Sequence, residues 1–279
     1  MTFKHYAKSI RLGLSALAIA VSAQSAFAAS AWQINPLGSG LAGASSVSAI
    51  NVGGVGFVQL LPNGIDSPLF TFIETGVYRA LNADGSGPFG ANDLTVTYSV
   101  SGTGNFLDAS ALHLNTGSIN LYADPNFDFG TSTATYGADN GTKVASFDIF
   151  SGYVADTGLV TVNANGVAGS ILSGYLFNAE GADLATLSNV QLQLSIFNRP
   201  IWPVDSMLVS EIICGMAGYK GGGCDGDGTP FIPTQFAFAV QDGGSVTISA
   251  VPEPETLTLL LAGLGLIGVV GRRRQKGAC

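Results

Sequence analysis

Leu94-Thr95-Val96-Thr97-Tyr98-Ser99-Val100-Ser101 alternates apolar and hydroxylated residues over eight positions. A period of two sends successive side chains to opposite faces, the mark of a half-buried β-strand. Val190, Leu192, Leu194 and Ile196 repeat the pattern against Gln191, Gln193 and Ser195. Phe236, Phe238 and Val240, then Val246 and Ile248, carry it toward the end of the chain. Shorter candidates are Val55–Leu60, Leu69–Glu74, Leu112–Leu114, Ile119–Tyr122, Val144–Phe150, Leu159–Asn163 and Ile171–Phe177. Asn82-Ala83-Asp84-Gly85, Asp139-Asn140-Gly141 and Asn163-Ala164-Asn165-Gly166 read as the turns between them.

Composition agrees. Residues 29–251 hold 32 glycines, about twice the usual frequency. Lys and Glu are scarce there, and Thr, Ser, Asn and Asp replace them, which favours strands and turns over helices. No run outside the termini keeps a 3.6-residue apolar period. The expected fold is all-β: an antiparallel β-sandwich or barrel-like core over residues 55–250. Residues 29–54, small and Gly/Ser-rich, read as a poorly ordered arm ahead of it.

Charge sets limits on partners. Between residues 29 and 251 the basic residues are Arg79, Lys143, Arg199 and Lys220, four against seventeen acids, a net −13. Nucleic acid and anionic membrane surfaces both require a basic face, so neither is an expected partner.

The two ends read as addresses. Lys4, Lys8 and Arg11 precede the apolar run Leu12–Val21, and Ala26-Phe27-Ala28 offers a small-x-small cleavage site. This is the layout of a secretory signal peptide over residues 1–28, cut after Ala28. The alternative, an uncleaved anchor, needs about twice that apolar length. At the other end, residues 251–279 open with Val251-Pro252-Glu253-Pro254-Glu255, stiffened by its prolines. An uncharged Leu- and Gly-rich run, Thr256–Gly271, follows, and Arg272, Arg273 and Arg274 then form a basic stop. Such a stop keeps its end of an apolar helix in the cytoplasm. The run is short of a comfortable span, which suits a transient membrane insertion.

Those three parts, in that order, resemble the PEP-CTERM sorting signal of exported bacterial proteins. The resemblance covers about the last 25 residues. It implies processing near Pro252-Glu253-Pro254 by an exosortase, a membrane protease-transpeptidase, and a final place at the cell surface or in the extracellular matrix.

Catalytic motifs are scarce. There is no G-x-S-x-G elbow, H-E-x-x-H pair or phosphate-binding loop in the sequence. His113 is the single histidine of the core and reads as a surface residue on the polar side of a strand. One histidine cannot build a multi-histidine zinc site. Asn82-x-Asp84-x-Ser86-Gly87, with Asp93 in the twelfth position, follows the register of a calcium loop. It begins with Asn and ends with Asp where a bidentate Glu is usual. Asn82, Asp84, Ser86 and Asp93 are therefore weak calcium candidates, and no other cofactor is expected. Asp225-Gly226-Asp227-Gly228-Thr229 fails the same test, because Pro230 stands at the glycine position. Cys214 and Cys224 bracket a short glycine-rich loop, and in an exported chain they read as a disulfide.

A looser resemblance covers the middle of the chain. TFIETG (Thr71–Gly76), Leu94–Ser101 followed by Gly102-Thr103-Gly104, SINLYAD (Ser118–Asp124) and Tyr136–Thr142 are similar to segments of flocculation-associated PEP-CTERM proteins. That resemblance implies a structural or adhesive role in biofilm or floc, with exopolysaccharide or other matrix components as partners and no catalytic residues. Polar strand faces can bond sugars, and Trp32, Trp202 or exposed tyrosines can stack on them. The alternatives are a secreted carbohydrate-active hydrolase and a calcium-dependent glycan-binding module.

Overall fold

The computed structural model describes residues 31–85, 87–130, 136–155 and 157–250. The signal peptide with Ala28, the sorting tail with Pro252, Glu253, Pro254, Arg272, Arg273 and Arg274, and Ser86 of the calcium loop lie outside these residues. No helix among the described residues is long and apolar enough to cross a membrane.

Among the described residues eleven strands form: β1 (Trp32–Ile34), β2 (Ser45–Val47), β3 (Ile50–Pro62), β4 (Leu69–Leu81), β5 (Asp93–Asn105), β6 (Asp108–Asp124), β7 (Thr142–Val154), β8 (Leu159–Gly166), β9 (Leu176–Phe177), β10 (Val190–Pro200) and β11 (Ala237–Ala250). Eight of them close an antiparallel barrel in the order β3-β4-β5-β6-β7-β8-β10-β11, with β11 returning to β3. Of the two all-β forms expected, the barrel is the one found. Closure removes both sheet edges. The interior phase of each strand is apolar: Val96 and Val100 on β5, Ile119 and Leu121 on β6, Leu192, Leu194 and Ile196 on β10, Val246 and Ile248 on β11, all at or below 6% exposure.

Residues 29–54 are not a loose arm where they are described. β1 pairs with β2 and β9 in a small sheet, and Asn51 already belongs to the barrel. Trp32 and Ile34, 2% and 1% exposed, pack with Ile50, Val52, Ala80, Leu94, Leu121 and Val246 at one end of the barrel. Asn35 fixes the return of the chain, donating to the Gly40 carbonyl at 2.7 Å and accepting from the Leu37 amide at 3.0 Å. Two large apolar side chains in a segment of small residues are enough to anchor it. Trp32→Ala is expected to cost about 3–5 kcal/mol. A drop in thermal midpoint of roughly 10 °C, measured by circular dichroism, is the expected size.

Three further expectations are corrected. Asn163, Ala164 and Asn165 do not turn; they continue β8 and pair with β10, with Ala164 fully buried. Ile171–Phe177 is mostly turn, and only Leu176–Phe177 is strand. Leu208–Met216 forms a helix of the π type. Leu208, Ile212 and Ile213 bury against Phe57, Val77 and Ala239 on the outside of β3, β4 and β11. The helix sits in an excursion between β10 and β11 that holds the Cys214–Cys224 disulfide, with Cα atoms 5.3 Å apart.

Candidate functional site

Two features stand out, one outside the barrel and one inside. Outside, β8, β10 and β11 present a wall of amides and hydroxyls. Gln191 and Gln193 donate to Asn165 and Asn163 at 3.2 and 3.1 Å, and Asn163 donates to Ser151 of β7 at 3.2 Å. Thr161 and Ser195 lie 3.4 Å apart, and Ser245, Thr247 and Ser249 continue the row on β11. A separate bond joins β7 to β6, where Asn120 accepts from Ser146 at 2.7 Å. β8 carries no charged residue, nor does β10 before Arg199. Asp242, the one charge on β11, belongs to the interior described below.

This wall follows from the same alternation that builds the core. Every second residue faces out, and here the outward set is Asn, Gln, Ser and Thr in place of Lys and Glu. Cross-strand bonds between these side chains hold the amides in fixed orientations. Each amide can still use its remaining donors and acceptors. Exposed aromatic residues flank one end: Tyr153 on β7 and Phe197 on β10, 55% and 51% exposed. Tyr153 pairs with Thr161, two residues from Leu159, which pairs with Phe197. A polar hollow of about 370 Å³, lined by Asn165, Gly166, Ser188, Asn189 and Gln191, adjoins the other end.

Inside, an acidic cluster interrupts the apolar lumen. Asn198 of β10 donates to Glu74 of β4 at 2.7 Å, and the Tyr78 hydroxyl of β4 donates to Asp242 of β11 at 3.1 Å. β11 and β4 are separated by β3, so these bonds cross the lumen. Glycine makes the room: a Cβ at Gly56 would meet Asp242 at 2.9 Å, and one at Gly76 would meet the Tyr78 hydroxyl at 2.4 Å. Burial pushes the Glu74 carboxyl up to about 7, against the bond from Asn198 that lowers it. Burial and the neighbouring charge of Glu74 push Asp242 up to about 8, against the Tyr78 bond. Both tyrosines, Tyr78 and Tyr98, are held well above the usual phenol range, first by burial and then by these carboxylates. Near neutrality the pair therefore retains a proton, because two neighbouring buried carboxylates cannot both ionise cheaply.

The residues singled out from sequence are dispersed. Asp93 is 1% exposed and is paired with Arg79, whose Nε lies 2.8 Å from its Oδ1. That guanidinium holds the acid proposed for the twelfth position of the calcium loop. Asn82 closes the turn through backbone bonds to Gly85 and Gly87. Among the described residues, no three His, Cys, Asp or Glu converge on one point. His113 is exposed on β6. Trp32 is buried and cannot stack on a sugar, whereas Trp202 is 61% exposed. Sequence reading missed Glu74 and Asp242 altogether. Their signal was phase: Glu74 stands in step with Phe70, Phe72 and Tyr78, and Asp242 in step with Val240, Val246 and Ile248.

Comparison with known proteins assigns the tail. Residues 250–274 match the PEP-CTERM protein-sorting motif. The match begins at Ala250, the last residue of β11, so the signal follows directly on a barrel strand. No curated protein and no solved structure matches the chain. The motif identifies an exported chain that an exosortase processes on its way to the surface or the extracellular space. Protein recovered outside the cells is accordingly expected to begin at Ala29 and to lack everything from about Glu255. Intact mass decides this, and retention of Arg272–Arg274 in that material would contradict the sorting assignment.

Proposed function

We propose that the barrel is a non-enzymatic matrix protein that holds neutral exopolysaccharide on its outer wall and supports biofilm or floc cohesion. The uncharged row of amides and hydroxyls on β8, β10 and β11 is the observation that carries this reading. Sugars are recognised by hydrogen bonds to amides and hydroxyls and by apolar contact of ring faces with aromatic side chains. Both are available side by side at Ser195, Tyr153 and Phe197. The wall is solvated before binding, so each bond made to a sugar replaces one to water and contributes little alone. Affinity then comes from repetition, with a long polymer meeting many equivalent positions. A neutral glycan fits better than an acidic one, because the exported core carries a net −13. The sorting tail supports the same setting, since it delivers the chain to the surface, where such a polymer lies.

The two lumenal acids offer no glycosidase pair to a polymer outside the barrel. Glu74 and Asp242, each 4% exposed, do not reach a surface where a glycosidic bond could lie between them. The test deletes residues 29–251 while keeping both addresses, and measures cell aggregation. Loss of aggregation, restored by the full chain but not by a chain carrying Tyr153→Ala and Phe197→Ala, is the expected result. Normal aggregation in the deletion strain, with turnover of a glycan or ester by the purified protein, would replace this reading with a hydrolase.

A further inference from the structure

Inside the barrel, acceptors outnumber their partners. Asp242 Oδ1, Asn198 Oδ1 and the Tyr98 hydroxyl are buried and make no hydrogen bond among the described residues. Tyr98 is 1% exposed and lies within the field of both Glu74 and Asp242. Buried polar atoms are almost always satisfied, so three orphans in one place call for an occupant. A basic side chain does not supply it. Arg79 is committed to Asp93, Lys143 lies over the Tyr122 ring 5.7 Å away, and Lys220 is exposed in the excursion. Arg199 neighbours Asn198 on β10 but, by the alternation of the strand, sits on the opposite face.

We propose that Glu74, Asp242, Asn198 and Tyr98 form a calcium site in the barrel lumen. The donor set is all oxygen: two carboxylates, an amide carbonyl and a phenol from β4, β11, β10 and β5. Hard cations take such donors, and calcium accepts irregular arrangements of them more readily than magnesium, which demands an octahedron and keeps its waters. Gly56 leaves the room that the Asp242 carboxylate occupies, since a Cβ there would lie 2.9 Å from its Oδ2. A divalent ion does here what the absent cationic side chain would do, and lets both carboxylates stay ionised above neutrality.

Terbium, a calcium surrogate whose green emission is sensitised by nearby tyrosine, reads the site directly in purified exported protein. At pH 8 the expected result is tyrosine-sensitised terbium emission that millimolar calcium displaces. Calcium should also raise the thermal midpoint at that pH by several degrees. Both responses should vanish in Glu74→Gln and Asp242→Asn and persist in Asp84→Asn, which separates the lumen from the surface loop. The two amide variants keep the shape of the parent and lose its buried charge, so at pH 8 in chelator they should melt above the parent, which shows that they fold. Calcium responses unchanged in either amide variant, lost in Asp84→Asn, or absent from the parent would overturn the proposal.

Discussion

In calcium-free buffer the thermal midpoint of the exported protein is expected to be highest near pH 5 and to fall by roughly 10 °C by pH 9. Glu74 titrates near 4.5 when exposed and at about 7 in the lumen. Between those values the folded state binds a proton that the unfolded state has released. Stability therefore declines as pH rises through this window, and the loss is complete once the folded carboxyl has ionised. Each tenfold change in proton affinity corresponds to about 1.4 kcal/mol, so Glu74 alone accounts for about 3 kcal/mol. Asp242, at about 8, extends the window upward. The two losses do not add, since each charge is part of what disfavours the other. Glu74→Gln and Asp242→Asn should each remove about half of the slope between pH 5 and 7, where both folded carboxyls hold a proton that the unfolded chain has released, and Asp242→Asn most of what remains between 7 and 8. A midpoint that rises from pH 5 to 9, or a slope unchanged in both variants, would show that the pair is not buried as described.

The second large effect concerns closure of the barrel. Gly244 lies on β11 opposite Ile196, and a Cβ there would fall 1.9 Å from the Ser195 carbonyl oxygen and 2.8 Å from the Ile196 Cα. Backbone atoms cannot step aside as a flexible side chain can. Gly244→Val is expected to separate β10 from β11 and cost more than about 4 kcal/mol, enough to abolish folding. Its neighbour provides the control, because a Cβ at Gly243 meets nothing within 4 Å. Gly243→Val points outward and should leave the midpoint within a few degrees. Limited proteolysis distinguishes the two: rapid cleavage throughout Gly244→Val, and parent-like resistance in Gly243→Val.

The same pair shows what sequence can and cannot reveal. Alternation in Leu94–Ser101 and Val190–Ile196 identifies strands because half of each is buried and half wet. It does not reveal whether such strands make a sandwich or a barrel, since that depends on how sharply they coil. Gly244 and Gly54, where a Cβ would lie 2.0 Å from the Val77 carbonyl oxygen, mark that coiling, but in sequence they look like turn residues. The 29–54 segment was misread because its average is small and polar, while its anchoring depends on Trp32 and Ile34 alone. The π-helix at Leu208–Met216 was missed because its nine residues draw their stability from Phe57 and Val77, distant in sequence. The sorting tail was legible, since its three parts are recognised by their linear order in the sequence. The outer wall was legible as composition; which of its amides bond across strands required the register.

Retention of the purified exported protein on cell-free neutral exopolysaccharide tests the central claim most directly. The parent should be retained and released by excess soluble polymer. Tyr153→Ala combined with Phe197→Ala, and separately Gln193→Glu, should each weaken retention at least tenfold with the thermal midpoint unchanged. Equal retention of all three proteins, or no retention of the parent, would contradict the assignment of the β8–β10–β11 wall as a polysaccharide-binding surface.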